Sequence, residues 1–289
     1  PSGPCVFMTT QQTEGFYLLR FIMSEFISLY SGSSGNSSVV RCGKRYLIVD
    51  MGKGVRTTGA ALKELELNIS DCDGILVTHE HSDHIKGLEV WCKHWNGPVF
   101  SSRGTLASKE SLAHLSVEEF DPGDILSIAG VRIQTYSTSH DVVNPVGYRF
   151  DAQGDSIGFA TDTGKLSKHA IDTLKDCRIL ALESNHDVAM LRQGDYPRFL
   201  QERILSAKGH LSNDQAAEAA RALATDRTEQ LIAMHISQDN NRPSLTVKSY
   251  ASSLDATLDN ELGSTATRVE GLHKLTIRPA GQYRPMTIQ

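Results

Sequence analysis

The chain has 289 residues, 39% of them hydrophobic and 22% charged, an ordinary globular composition with length for one large domain or two small ones. A net charge of -5 argues against a broad basic surface, so a polyanionic substrate would have to be held at a local site, with metal ions as one source of positive charge. Five cysteines (Cys5, Cys42, Cys72, Cys92, Cys177), odd in number and never spaced C-x-x-C, suit reduced thiols in a cytosol better than a disulfide frame or a zinc-thiolate site.

The first apolar run, "GFYLLRFIMSEFISLY", is broken by Arg20 and Glu25 and has no small-residue cleavage site, so neither a signal peptide nor a membrane span is expected. Residues 1–22 carry no clear pattern and are expected to be a leader or an appended extension without fixed structure, with the domain over 23–289. "EFISLY" then turns through "SGSSGNSS" into "VVRCG" and "RYLIVDMG", short strands joined by Gly/Ser turns, with Asp50 ending the third. A helix is predicted near 54–67. "DGILVT" is a continuous apolar strand of the buried kind, running straight into "HEHSDH", and "IKGLEVWCKHW" beyond it has helical spacing.

The middle of the chain is a ladder of alternating strands separated by D-P-G-D, A-G and Q-G-D turns, with His140 and Asp162 at strand ends. "RILALES" is another buried strand. Helices are predicted near 187–205 and 212–224, then the strand "EQLIAMH" ending at His235, and a last helix near 244–257. No repeat or inter-domain linker is visible. This order fits two sheets covered by helices on both outer sides in a single domain, with the polar strand ends on one rim.

In "THEHSDHIKG", His79 and His81 alternate with Glu80 and Ser82, so two imidazoles can face one point while Asp83 and His84 face another. With His140, Asp162 and His235 these make seven candidate nitrogen and oxygen ligands. That is too many for one tetrahedral ion and suits two with a bridging carboxylate.

These residues resemble the metallo-β-lactamase superfamily, whose H-x-H-x-D-H motif is present without departure. The resemblance spans about Ile27 to Ser237 and implies a four-layer αββα sandwich. It implies His79, His81 and His140 around one metal, Asp83, His84 and His235 around a second, Asp162 as the bridge, and Asp50 supporting the site from behind. Glu80 is not assigned. Two such ions acidify a shared water to hydroxide and stabilise an in-line displacement, so hydrolysis is the expected reaction. His/Asp donors take zinc first here, with manganese, iron or nickel as alternatives.

Glu183 in "ALES" and His210 in "KGHLSNDQAA", with Ser212 as a helix N-cap, resemble the phosphodiesterase branch that includes ribonuclease Z. There Glu183 would orient His210 and His210 would protonate the leaving oxygen; Asp83 is also expected to act in catalysis. Only twenty residues separate Asp162 from Glu183, too few for the ribonuclease Z substrate arm, and no second domain precedes His235 as it does in ribonuclease J. "SGSSGNSS", "THEHSDHIKGL", "ATDTG", "LESNHDVAML", "YPRFLQERI" and "GHLSN" together resemble the compact YycJ-like group. That resemblance implies a cytoplasmic metal-dependent phosphodiesterase, a 5′ to 3′ DNA exonuclease with DNA preferred over RNA and no membrane partner. The competing readings are a small-molecule hydrolase (cyclic phosphodiester, thioester or lactam) and a non-catalytic metal-stabilised nucleic-acid-binding module.

Ser33, Ser34 and Asn36 could line a phosphate with hydroxyls and backbone N–H groups, against the plainer reading of a flexible turn. His186 is placed at the site rim, with Asp187 either beside it or starting a helix. Among the basic residues flanking the motifs, Lys165, Lys168, Arg192, Arg198, Arg203, Lys208 and Arg242 are more simply solvated than bound to nucleic acid. His94, His114, His169 and His273 read as structural or surface residues, and Trp91 and Trp95 as core packing.

Overall fold

The computed structural model describes residues 24–289. The expected leader over residues 1–22, and Cys5 within it, lie outside them. The first sheet is built from β1 (Glu25–Tyr30), β2 (Ser37–Cys42), β3 (Arg45–Val49), β4 (Cys72–Val77), β5 (Val99–Ser102) and β6 (Val117–Phe120). The second holds β7 (Ile125–Ile128), β8 (Val131–Ser137), β9 (Val146–Ala152), β10 (Asp155–Ala160), β11 (Ile179–Glu183), β12 (Gln230–Met234), β13 (Thr257–Leu258), β14 (Ala266–Glu270) and β15 (His273–Pro279). A last strand, β16 (Met286–Ile288), returns to pair antiparallel with β1, Ile27 facing Thr287. The strands from Thr257 onward lie outside the stretch that the sequence patterns had organised.

Eight α-helices connect the strands among the described residues: α1 (Val55–Glu64), α2 (Ser82–Ile85), α3 (Leu88–Cys92), α4 (Lys168–Leu174), α5 (Val188–Gln193), α6 (Arg198–Leu205), α7 (Asn213–Leu223) and α8 (Pro243–Ser253). The segment predicted as helical over 187–205 is thus two helices. Pro197 stands at the N-cap of α6 because it has no N–H to donate back into a preceding turn. Asp187 starts α5, its side chain accepting from Met190 N at 2.8 Å. None of the helices among the described residues is long and apolar enough to cross a membrane.

Burial explains the four layers. In β4 Leu76 points between the sheets, with Phe26, Tyr148, Phe159 and Ile232. Its neighbours Ile75 and Val77 point outward against Leu62 of α1 and Leu88 and Trp91 of α3. A strand covered on both faces must be apolar at every position, which is why "GILV" does not alternate. On the far side, Leu180, Leu182 and Leu231 pack under Leu174 of α4, Ala216 of α7 and Tyr250 of α8.

Two sets of bonds hold the sheets together. Toward the rim, Tyr148 Oη donates to Val77 O at 2.7 Å and Val146 N to Thr78 O at 3.0 Å, so β9 grips the end of β4 immediately before the histidine loop. At the other end Arg178 Nε and Nη2 donate to the two Asp155 oxygens at 2.7 and 2.8 Å, and Nη2 also reaches Ser24 O at 2.7 Å. The loops at the rim are zipped by backbone bonds: Asn36 N to Asp83 O at 2.7 Å, Gly52 N to Asn36 O at 2.8 Å, Met51 N to His84 O at 2.7 Å and Gly87 N to Met51 O at 2.8 Å. Gly52 is required at that crossing, since a Cβ there would sit 1.7 Å from Asp83 O and 2.5 Å from Asn36 N.

Arg178→Ala leaves the Asp155 carboxylate buried without its partner and is expected to lower unfolding free energy by about 3–5 kcal/mol in a denaturant titration. Gly52→Ala is expected to cost about 1–3 kcal/mol or more, as for overpacking, and to lower thermal stability because backbone must move on both sides.

Candidate metal centre

Six strand ends open onto one rim. Asp50 follows β3, Thr78 and the histidine loop follow β4, His140 lies past β8, Asp162 past β10, Glu183 closes β11 and His235 follows β12. Three of these, Asp50, Asp162 and His235, have φ of 63°, 53° and 52°. A side chain in the left-handed region costs about 1–2 kcal/mol, and Asp and His tolerate it better than most. The strain turns these side chains sharply out of their strands.

The seven residues expected as ligands come together. Nε2 of His79 and Nε2 of His140 lie 3.1 and 3.2 Å from His81 Nδ1. Ligand atoms about 2.0 Å from a tetrahedral ion stand roughly 3.3 Å apart, close to this spacing. A second group forms around His84 Nε2, 3.5 Å from Asp83 Oδ2, with His235 Nε2 3.7 Å from that same oxygen. The Asp162 carboxylate lies between the groups, Oδ2 3.2 Å from His84 Nε2 and Oδ1 4.0 Å from His140 Nε2. Asp162 Oδ2 and His235 Nε2 are buried polar atoms without a hydrogen-bond partner, a costly state that a cation between them would relieve.

Behind the convergent nitrogens, the remaining ring nitrogens are anchored. Nδ1 of His79 lies 3.0 Å from Thr78 Oγ1, Nδ1 of His84 2.7 Å from Asp50 Oδ2, Nδ1 of His140 3.1 Å from Lys208 O, and Nδ1 of His235 3.0 Å from Glu183 Oε1. Such contacts hold a ring's tautomer and angle. Asp50 is buried and also accepts from Thr78 N and Thr78 Oγ1, both at 2.8 Å.

Burial and the neighbouring imidazoles hold His79 well below the ordinary histidine range, and His81 is lowered for the same reasons. His84 goes the other way: burial opposes its charge, but Asp162 and Asp50 outweigh it and raise it well above that range. His235 is pushed up to about 10 against its burial, by Asp162, Asp83 and Glu183. Burial also raises Asp50, opposed by His84 and by the two Thr78 donors. Around Asp162, Asp83 and Glu183 the field therefore favours positive charge at His84 and His235, while the His79 and His81 rings are held neutral.

Glu183 is fully buried and receives Thr163 N at 2.9 Å, while its Oε1 lies 2.7 Å from His210 Nδ1. Burial alone would raise this carboxylic acid, but His210 and His235 bring it down to about 2. A carboxylate can only accept, so His210 carries its proton on Nδ1 and turns Nε2 to the cavity. Ser212 makes the capping box that fixes this turn, accepting from Gln215 N at 3.3 Å while Gln215 Oε1 accepts from Ser212 N at 2.9 Å.

The cavity over the site, about 240 Å³, is lined by His81, Asp83, Asp162, His210 and His235, and on its far wall by α6. A larger groove of about 510 Å³ between α1 and α3 is apolar and holds none of this chemistry. Ser33 lines the site cavity, and Ser34 is exposed beside it, receiving Lys53 Nζ at 3.0 Å. Asn36, expected at the substrate, is buried behind the loop, its Nδ2 3.1 Å from Asp83 Oδ2 and 3.0 Å from His84 Nε2. His186, expected at the rim, is fully buried with both ring nitrogens unpartnered and its basicity reduced to about 4, chiefly by burial. Glu80 turns away to accept from Val143 N at 2.8 Å, bracing the His140 loop.

Asn185, Tyr196, Leu200, Ile204 and Ser237 also line the cavity and had no signal as site residues; Arg203, with them, had only been counted among flanking basic residues. The spacing of 200, 203 and 204 marks one helix face, but periodicity does not say what a face meets. Cys42, Cys72, Cys92 and Cys177 are free thiols, and Trp91 is buried with Trp95 packed beside it, as expected.

Residues 45–236 match the family described as a beta-lactamase superfamily domain. The chain is 38% identical over 234 residues to exodeoxyribonuclease YycJ of Bacillus anthracis, covering 80% of this chain and 89% of the relative. It is 35% identical over 219 residues to exodeoxyribonuclease WalJ of Streptococcus pneumoniae serotype 2 (strain D39), covering 74% of this chain and 81% of the relative. The crystal structure of the metallo-beta-lactamase fold protein YhfI from Bacillus subtilis shares the fold at a TM-score of 0.64 and 14% identity, covering 91% of this chain and 99% of that one. By sequence match and by architecture, the chain belongs to the beta-lactamase superfamily, alongside YycJ and WalJ.

Proposed function

We propose that this chain is a metal-dependent phosphodiester hydrolase, an exodeoxyribonuclease that trims DNA from its 5′ end in the cytoplasm. The observation that carries the reading is the juxtaposition of two ligand groups sharing Asp162 with a Glu183–His210 pair on the same cavity. Identity to two exodeoxyribonucleases over most of the chain supports DNA as the substrate class.

His79, His81 and His140 would hold one divalent ion, Asp83, His84 and His235 a second, and Asp162 would serve both. The donor set fits: neutral imidazoles at His79 and His81, carboxylates at Asp83 and Asp162, and orphaned buried atoms that a cation would satisfy. Zinc suits these donors, and manganese, iron or nickel are accepted by the same chemistry. Bound there, the ions would acidify a water and offset the charge that develops on the phosphate.

The chain's own groups do the rest. Asp83, with 23% of its side chain exposed, borders the cavity and can accept a hydrogen bond from the attacking water. Asp50 holds His84 and Thr78 in register. Glu183 keeps His210 oriented, and His210, acting as the imidazolium, gives its Nε2 proton to the departing sugar oxygen, a poor leaving group that needs one, while the Nδ1 proton stays against Glu183. Ser33 and Ser34 offer hydroxyls to the phosphate.

End-labelled DNA incubated with zinc or manganese is expected to shorten from the 5′ end. Chelation, or His81→Ala, is expected to abolish cutting, and full activity in metal-stripped protein would overturn the reading. Cleavage of bis-p-nitrophenyl phosphate with no action on DNA would point instead to a small phosphodiester.

His210→Ala is expected to lower kcat on DNA by about 10²- to 10⁴-fold, the usual contribution of a positioned acid. The loss should be much smaller on bis-p-nitrophenyl phosphate, whose leaving group departs without a proton. Equal losses on both substrates would remove His210 from the role of acid.

A further inference from the structure

The two most exposed aromatic rings among the described residues are Phe199, at 76%, and Tyr283, at 67%. Phe199 stands on α6, next to the cavity-lining Leu200. Leu200, Arg203 and Ile204 of the same helix, α6, line the cavity. Phe199 lies one turn before Arg203, and residues four apart share a helix face. That face is turned to the His140 loop: Arg203 Nε and Nη2 donate to Asp141 at 2.6 and 2.8 Å, and Asp141 follows His140.

The mount is rigid. Tyr196 Oη donates to Asp239 Oδ2 at 2.8 Å, and Gln201 Nε2 to Tyr196 O at 2.8 Å, which pins the turn leading into α6. Exposed cations stand at both ends of α6. Lys208 is exposed while its carbonyl meets His140 Nδ1 at 3.1 Å, and Lys165 is exposed while its carbonyl receives Thr163 Oγ1 at 2.7 Å. Arg198, next to Phe199, has a side chain 92% exposed, its Nε 4.0 Å from Glu202 Oε1 in an open i,i+4 pair.

We infer that Phe199 is a stacking platform for a base of a single-stranded DNA end, with Arg198, Lys165 and Lys208 tracking the adjacent phosphates. An exposed aromatic ring with exposed cations on the same side of the site matches the way single strands are held: the rings take bases, the cations take backbone. A flat, unpaired ring beside the cutting site fixes the distance from a stacked base to the phosphate being attacked. The inference rests on the DNA reading above.

The test compares binding of labelled oligo-dT with an abasic strand of equal length and charge, by fluorescence anisotropy in EDTA, which stops cutting. Phe199→Ala is expected to weaken oligo-dT binding by about fivefold to a hundredfold, the worth of one stacked base, and to leave the abasic strand unchanged. Phe199→Trp should restore affinity and show fluorescence quenching by oligo-dT but not by the abasic strand. Leu272→Ala, a fully exposed residue on the β14–β15 turn, should change nothing. If the wild type cuts DNA while Phe199→Ala binds both strands like the wild type, the platform is wrong and the nuclease reading stands. If the wild type neither cuts nor binds DNA, both fall. Dissociation of a wild-type dimer on Phe199→Ala, without an oligo-dT effect, would assign the ring to a second copy of the chain instead.

Discussion

The rim depends on one buried carboxylate. Asp50 stands at the end of β3, in a left-handed backbone conformation, and takes Thr78 N, Thr78 Oγ1 and His84 Nδ1 together. Thr78 begins the histidine loop and His84 ends its cluster, so one side chain sets both the start of the loop and the angle of its last ring. Without those three donors the carboxylate would be an unpaired charge inside the protein, which costs several kcal/mol. With them it is an anchor that the neighbouring loops are stitched around.

The charge arrangement in front of that anchor is the reverse of a stable hydrogen-bonded core. Imidazole nitrogens stand 3.1–3.2 Å apart, and two buried atoms, Asp162 Oδ2 and His235 Nε2, have no partner. Protein interiors seldom leave such atoms unmatched. Left-handed strain at Asp162 and His235 adds to the cost, and strain of this kind persists where the surrounding structure over-determines it. What over-determines it here is the packing behind the rim: Tyr148 across the sheets to Val77, the β9 amide at Val146 to Thr78, and the crossing at Gly52. The stability spent at the site comes from apolar layers that never touch it.

Glu183 ties two rings of the cavity together. Its Oε1 meets both His210 at 2.7 Å and His235 at 3.0 Å, so one anion supports a candidate metal ligand and the histidine beside it. The fold subordinates a long stretch of chain to this contact: the capping box at Ser212 and the amide of Leu211, 3.3 Å from Glu183 Oε2, bring residues 210–212 back to β11.

Much of this was legible in the chain. Buried strands announce themselves by unbroken apolar runs such as "GILV" and "ILAL", and the residue after each is polar because the strand has reached the open end of the sandwich. The H-x-H-x-D-H spacing is local, so its two pairs of donors could be read without any fold. Other features were decided only by tertiary structure. Asn36 and His186 look like rim residues in one dimension, yet the loop zipped to Gly52 and the bridge to Ser212 put both indoors. The wall made by α6 was invisible because a helix face records its period and not its neighbour. Sequence determined which atoms were available for chemistry, since donor type is a property of the residue. Tertiary structure decided which of them face the cavity, since direction comes from backbone turns and long-range hydrogen bonds that no short window contains.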